Sequence, residues 1–431
     1  MTVAWFSLVP AAMPEWRCVA AYAVFLVSYF VFAAGKLPGM KIDRPGMAII
    51  GAVGMVLLRV IRPQDALRYI DFSTIVLLFS MMLLIGFLHL SGFFDWVAES
   101  VITRLSPDHL LPAVIFTSGI LSAFFVNDVI CLVMAPVVLL TTQRMRLKPL
   151  PYLLALATGS NIGSVATITG NPQNMLIGSV SHISYRGFLA HLGPIALMGL
   201  LLDWLVLWLM FHRMVSGGAT PPAVSPASVN PGAGRHLPAV VDRRRLRKPV
   251  TVMAVVVLGF LGGAPPAVVT ALAAAIMLIT RRHDPQKAYA EVNWDLLVFF
   301  VGLFLIVGGA EASGLTSALL AFAERWNLHR GIAFTAVTAG LSNLVSNVPA
   351  VMLIKNLVPS LPNPRTEWLL LAMASTLAGN LTITGSVANL IVVERVKAEV
   401  HIGFWDYVRV GLPVTLLTLA MGWAWLTWVA R

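Results

Sequence analysis

The chain reads as apolar runs separated by short polar breaks. A helix needs about 20 mostly apolar residues to cross the hydrocarbon core of a bilayer. Runs of that kind fall at roughly 18–35, 46–61, 72–92, 188–211, 249–263, 265–280, 294–313 and 404–430. Two further pairs of runs are joined too tightly for an exposed loop. Residues 110–126 and 128–142 meet at Val126-Asn127-Asp128, and 331–345 and 348–361 meet at Ser346-Asn347-Val348. The pairs 110–142 and 331–361 each predict a re-entrant hairpin with its tip inside the membrane. Residues 151–180 and 368–393 are apolar but interrupted by Ser, Thr, Asn and Gly. Each predicts a broken helix, because irregular backbone at that depth is tolerated only where protein or a cavity surrounds it. The expected fold class is an all-α integral membrane protein, with about ten transmembrane helices, two re-entrant hairpins and two broken helices.

The pattern occurs twice. At an offset of 222, Pro63-Gln64 matches Pro285-Gln286 and Ser91-Gly92 matches Ser313-Gly314. At 220, Leu121-Ser122 matches Leu341-Ser342 and Asn127 matches Asn347. At 215, Thr167-Ile168-Thr169-Gly170 matches Thr382-Ile383-Thr384-Gly385, and Asn174 matches Asn389. Each half is expected to hold five crossings and one hairpin. An odd number of crossings inverts the second half, the arrangement of many secondary transporters, whose sites lie where broken helices meet near the midplane. The expected units are a first repeat at 1–213, a linker at 214–248 and a second repeat at 249–431. Arg17 and the apolar run after it superficially resemble a signal peptide. The repeat gives this run a partner near 249–263, so it is read as a retained span.

Composition sharpens the picture. The 431 residues are 58% apolar and 11% charged, with a mean hydropathy of +0.83. Soluble domains have about 25% charged residues. A soluble enzyme, a secreted domain and a nucleic-acid binder are excluded on this ground. Two cysteines, Cys18 and Cys131, both in apolar runs, exclude a disulfide framework and a cysteine-based zinc site. The net charge of +11 reads as basic residues flanking membrane spans. The linker carries five prolines and ends in Arg243-Arg244-Arg245-Leu246-Arg247-Lys248. With the linker cytoplasmic and both termini outside, 20 of the 30 Lys and Arg residues fall on the cytoplasmic side, as the positive-inside rule asks. Arg59, Arg62 and Arg68 run against it. The expected location is the cytoplasmic (inner) membrane.

Polar clusters recur in pairs. The hairpin tips carry Ser122, Asn127 and Asp128, then Ser342, Asn343, Ser346 and Asn347. The first broken helix carries Ser160, Asn161, Ser164, Thr167, Thr169, Asn171, Gln173 and Asn174; the second carries Asn380, Thr382, Thr384, Ser386 and Asn389. Asn and Thr offer donors and acceptors without the cost of a buried charge. Small polar residues also join membrane helices to one another, but the symmetric recurrence favours a site. The candidate substrate-binding residues are Asn127, Ser160, Asn161, Thr167, Thr169, Asn171, Asn174, Ser346, Asn347, Asn380, Thr382, Thr384, Ser386 and Asn389. Asp128 is the candidate coupling-ion residue, for H⁺ or Na⁺; the alternative is that it caps the half-helix that follows. Val348 stands in its place in the second half. Asp203 and Glu311 are weaker candidates. Lys355 reads as an anion attractor or a side chain reaching for headgroups. No catalytic residue, metal ligand set, organic cofactor or phosphate-binding loop is apparent in the sequence.

Ser91-Gly92-Phe93-Phe94-Asp95-Trp96, Phe125-Val126-Asn127-Asp128 and Thr382-Ile383-Thr384-Gly385-Ser386-Val387-Ala388 resemble stretches of the arsenical pump membrane proteins. Gly170-Asn171-Pro172-Gln173-Asn174 is nearer other branches of the same ion transporter superfamily, which also holds citrate transporters, divalent anion/sodium symporters and sodium/proton antiporters. The sodium-coupled anion branch carries a Ser-Asn-Thr triplet at each tip; here only the Asn is kept at both. The resemblance covers nearly the whole chain outside the linker. It implies a secondary active transporter of a small anion or oxyanion-forming solute (arsenite, antimonite or a small carboxylate), driven by a proton or sodium gradient. The alternatives are Na⁺/H⁺ exchange and a passive anion channel. Expected partners are the solute and membrane lipids; a homodimer and a cytoplasmic ATPase subunit stay open, and nucleic acid is excluded.

Overall fold

The computed structural model describes residues 14–35, 41–94, 96–97, 105–215, 243–279 and 284–429. Most of the linker (216–242), Asp95 and several of the basic residues used to orient the chain lie outside them. The described residues contain helices and no strand. In chain order these are α1 (Glu15–Ala34), α2 (Arg44–Leu57), α3 (Phe72–Leu90), α4 (Pro107–Phe124), α5 (Asn127–Arg144), α6 (Leu150–Ser164), α7 (Pro172–Val180), α8 (Tyr185–Val215) and α9 (Arg243–Leu261). Then follow α10 (Pro266–Leu278), α11 (Pro285–Ala290), α12 (Trp294–Ala312), α13 (Leu315–Arg325), α14 (Gly331–Val345), α15 (Asn347–Ile354), α16 (Pro364–Leu377), α17 (Val387–Val396) and α18 (Phe404–Ala424). By length and composition, α1, α3, α8, α12 and α18 can each cross a membrane; α2, α10 and α14 are shorter and apolar.

Local chemistry sets most of these starts. Asp71 accepts from the Ser73 and Thr74 amides at the head of α3, and Asn293 accepts from Leu296 at the head of α12. Such side-chain caps satisfy amides that the helix itself leaves free. Proline at the first helical position begins α4, α7, α10, α11 and α16, where its missing N–H costs nothing. Gly92 after α3 and Gly314 after α12 take φ of +80° and +101°, backbone that glycine adopts freely.

Three expectations need adjusting. The run 46–61 stops as α2 at Leu57, because Arg59 turns into the left-handed region with φ 54°. The second hairpin arm ends as α15 at Ile354, with a separate turn at Val358–Ser360. The short helices α11 and α13 lacked a clear apolar signature and were not expected.

The packing falls into two groups. Helices α1, α2, α3, α9, α10 and α12 pack on one another, with α2 against α12 and α3 against α10. The remaining core holds the hairpins and broken helices, with α4 on α6, α14 on α16, and α5 on α17. Outward faces of α1, α2, α8 and α10 present Leu26, Phe30, Ile50, Leu201, Leu205 and Ile276, a surface suited to lipid.

Candidate functional site

Helix α6 stops at Ser164, and α7 starts again at Pro172. Asn171 caps α7 by accepting from the Asn174 amide, 2.9 Å. The break is held by its own side chains. Asn174 Nδ2 donates to the carbonyls of Ser164 and Thr167, 3.2 and 3.1 Å. In the second half, Asn389 Nδ2 donates to the carbonyls of Gly379 and Thr382, 2.8 and 3.0 Å. These are the same positions at an offset of 215, so the two breaks are braced in the same way.

The hairpin tips dock on the breaks. The Asn127 amide donates to the Gly170 carbonyl, 3.0 Å. Ser122 Oγ lies 2.8 Å from Ser160 Oγ. In the second half, Ser342 Oγ donates to the Ser375 carbonyl, 2.8 Å. Asn347 satisfies its surroundings when its nitrogen faces Ser342 Oγ, 2.7 Å, and the Gly385 and Ser375 carbonyls, 3.1 Å each. Its oxygen then accepts from Gln173 Nε2, 3.2 Å. The pairing identifies Ser375 and Thr376 as counterparts of Ser160 and Asn161. This is the same offset of 215 that relates Thr167 to Thr382.

The halves then cross. Asn161 Nδ2 donates to Asn380 Oδ1 and Asn389 Oδ1, both 2.8 Å. Asn161 Oδ1 accepts from Asn127 Nδ2 at 2.9 Å and Ser386 Oγ at 3.0 Å. The reverse crossing runs from Asn171 Nδ2 and Gln173 Nε2 to Thr376 Oγ1, 3.3 and 3.1 Å. All these residues are buried. The N-termini of α5, α7, α15 and α17 converge here. Each brings the partial positive charge of its free amides. The hydrogen bonds of the network use no Lys or Arg among the described residues. Asn127 Oδ1 and Asn174 Oδ1 are buried with no hydrogen-bond partner among the described residues. An unpaired buried acceptor costs about 1–3 kcal/mol, so Asn127 Oδ1, at the hairpin tip, is the first candidate to receive a ligand hydroxyl or a cation.

Several candidate residues fall outside this network. Thr167 donates to the Ala123 carbonyl, and Thr169 Oγ1 lies 3.1 Å from the Tyr185 hydroxyl; both fasten the first break to its surroundings. Thr382 and Thr384 lie 3.3 Å apart on the second break, which is partly open to solvent at 381–384. Ser346 stands at the second tip with φ 77°. Asp128 is half-buried in the first turn of α5, but Val126 is the N-cap and no side chain bonds there. The capping alternative is therefore overturned, while the favourable field of the helix N-terminus remains. Glu311 bonds Asn356 at the far end of the second hairpin, with Lys355 nearby. Lys355 itself lies 5.9 Å from the Phe304 ring. His89 pairs with Glu291, 3.1 Å.

The residues of this network that sequence reasoning missed are Thr376 and Thr158, whose carbonyl accepts from Asn380 Nδ2, 3.3 Å. Thr376 was visible in principle, as the residue 215 positions after Asn161. Thr158 had no repeat or motif signal.

The citrate transporter family, CitMHS, matches residues 29–378. The chain belongs to this family. Its relatives include the rice (Oryza sativa subsp. japonica) silicon efflux transporter LSI3, 32% identical over 96% of this chain and 98% of the relative. A 46 kDa membrane protein of Mycobacterium leprae is 30% identical over 95% and 99%. Among solved structures, the YdaH transporter of Alcanivorax borkumensis superposes with a TM-score of 0.58, covering 96% of this chain and 97% of that one, at 14% identity. That likeness concerns the fold. This member of the citrate transporter family is a multi-pass membrane transporter of small anionic solutes and not an enzyme.

Proposed function

We propose that the chain is a proton-coupled secondary transporter of a small, weak oxyacid of the arsenite and antimonite class. The observation that carries this reading is the amide network joining the two halves through Asn161, Asn380, Asn389 and Thr376. Its positive potential comes from helix N-termini and amide N–H groups, and it contains no guanidinium. A multiply charged carboxylate calls for Arg in bidentate geometry. A small hydroxyl-bearing oxyacid needs donors and acceptors close together, which Asn and Thr provide. The silicon efflux named for the rice relative is consistent with such a solute.

In this reading residues 1–213 and 249–431 are inverted repeats, and the two hairpins enter from opposite sides. Access alternates as one group of helices moves against the other. Asp128 carries the coupling proton. The linker faces the cytoplasm across the inner membrane.

The experiment is uptake of labelled arsenite into everted membrane vesicles under an imposed proton gradient. Accumulation that collapses with a protonophore supports the proposal. Flux that only equilibrates, with or without the gradient, points to a channel and overturns it. Absence of uptake in vesicles shown to contain the protein removes arsenite as the solute.

A further inference from the structure

Asp203 lies within α8, fully buried, on a helix that packs against α6 and α18. Its Oδ2 is 2.9 Å from Thr158 Oγ1 of α6, and its Oδ1 has no hydrogen-bond partner. The same Thr158 hydroxyl is 2.9 Å from the Leu154 carbonyl, one turn back. A hydroxyl has a single hydrogen to give. It can go to the Leu154 carbonyl, the usual back-bond of a helical threonine, or to Asp203. When the hydroxyl donates to Leu154, the 2.9 Å contact with Asp203 is made by a hydrogen on the carboxyl; when it donates to Asp203, the carboxylate is left in a dry interior with this one bond.

The surroundings agree. Tyr407 of α18 lies within electrostatic range of Asp203, beside Asn389 and with Cys131 of α5 also in range. Asp406 and Arg409 flank Tyr407 on α18. The other packed helices carry Asp108 and His109 (α4), Tyr152 (α6), Arg365 and Glu367 (α16) and, among the described side chains of α9, Arg245, Arg247 and Lys248. Among the described residues, Thr158 is the side chain hydrogen-bonded to Asp203. A lone carboxylate without a counter-charge at such a site is strongly disfavoured, and a neutral carboxyl is the available alternative.

We propose that Asp203 is a second proton-carrying site of this transporter, one residue behind the amide network. The link is Thr158: its hydroxyl accepts a hydrogen bond from the protonated carboxyl, and its carbonyl accepts from Asn380 Nδ2, 3.3 Å. Asn380 in turn is held by Asn161 across the halves. Movement of the second break relative to α6 therefore changes the surroundings of Asp203. The use of that proton for coupling rests on the transport reading above; its presence does not.

Infrared difference spectroscopy of the purified full-length protein in lipid tests the site directly. Wild type minus Asp203→Asn at neutral pH should contain the carbonyl stretch of a protonated carboxyl, and Thr158→Val should shift that band. A difference holding only carboxylate bands overturns the proposal. If Asp203→Asn does not fold, the Thr158→Val shift decides, and an unmoved band overturns it. For coupling, Asp203→Asn should lose proton-driven arsenite accumulation, at least tenfold, while keeping exchange of arsenite without a gradient. Accumulation equal to wild type overturns the coupling role. If wild type moves no arsenite, the transport reading has failed while the infrared result still decides the proton site.

Discussion

In the first half of the molecule the hairpin meets the broken helix through glycine. A Cβ on Gly163 would lie 2.0 Å from the carbonyl oxygen of Gly119, and Gly159 sits against the backbone of Ile115 at 3.1 Å. At the matching places the second half has Ala378, Ala339 and Ala374. There the gap is bridged by a side chain: Asn343 Nδ2 donates to the carbonyls of Ala339 and Ala378, 3.2 and 2.8 Å. The first break, 165–171, is entirely buried, whereas 381–384 of the second is partly exposed. One plan has thus been closed by backbone contact in one half and by an amide bridge in the other. Small residues let membrane helices approach closely where no hydrophobic force drives them together. The half with alanine is the half with an open break.

The comparison breaks most sharply at Gly163. Gly163→Ala puts a methyl into backbone that a rotamer change cannot clear. Overpacking of this kind costs roughly 1–3 kcal/mol and sometimes more, and this site belongs at the upper end. Thermal unfolding of the purified protein in detergent should report the loss. The reciprocal change, Ala378→Gly, removes no clash and forfeits one buried methyl, about 1 kcal/mol. Equal losses for the two would show that the close approach is not what distinguishes the halves.

The next test concerns the crossing bonds. Asn161 uses all four of its hydrogen-bonding positions across the network, while its counterpart Thr376 accepts two bonds. Polar contacts between membrane helices average about 0.6 kcal/mol each. Asn161→Ala therefore forfeits about 2–3 kcal/mol and strands four groups in a dry interior. It should abolish arsenite uptake while the protein still inserts. Thr376→Ala should slow uptake several-fold only. The reverse order would move the centre of the site to the second half.

Asp128 and Val348 sharpen the asymmetry further. Asp128→Asn keeps the side-chain shape and removes the ionisable group, so uptake should lose its dependence on pH without a loss of stability. Vesicle uptake measured across a pH series checks this. Retained pH dependence would transfer the proton to another residue.

Much of this was legible in the sequence because period and repetition are cheap signals. Apolar runs gave α3, α8, α12 and α18 within a few residues, and the Asn127 and Asn347 tips stood out by falling between runs too close for a loop. The offset of 215 points to Ser375-Thr376 in the second half, but residue type points elsewhere. Ser375-Thr376 looks like ordinary helix, while Gly379-Asn380 looks like the more polar counterpart of Ser160-Asn161. Only the bonds of Ser342 and Asn171 separate the two choices. Thr167 and Thr169 misled for a related reason. Their Thr-Ile-Thr-Gly pattern recurs, but in the first half both hydroxyls are spent on Ala123 and Tyr185. Recurrence reported the fold of the break and said nothing of which way its side chains face.

The smallest effect concerns the tips themselves. Val126 takes ordinary extended backbone, φ −58° and ψ 123°, whereas Ser346 takes φ 77° and ψ 159°. The latter region is essentially restricted to glycine and costs other residues of order 1–3 kcal/mol. Ser346→Gly removes that strain but frees the unfolded chain, a penalty of roughly 0.5–1 kcal/mol. The net expectation is a gain of about 1 kcal/mol in denaturant or thermal unfolding. Val126→Gly should do the opposite, since it relieves nothing and removes a fully buried side chain with about 1.5–3 kcal/mol of burial. A gain at 346 together with slower uptake would mean that the strained tip contributes to movement. A loss at 346 would mean that Ser346 is not strained in the protein, and the two tips would then differ in composition alone.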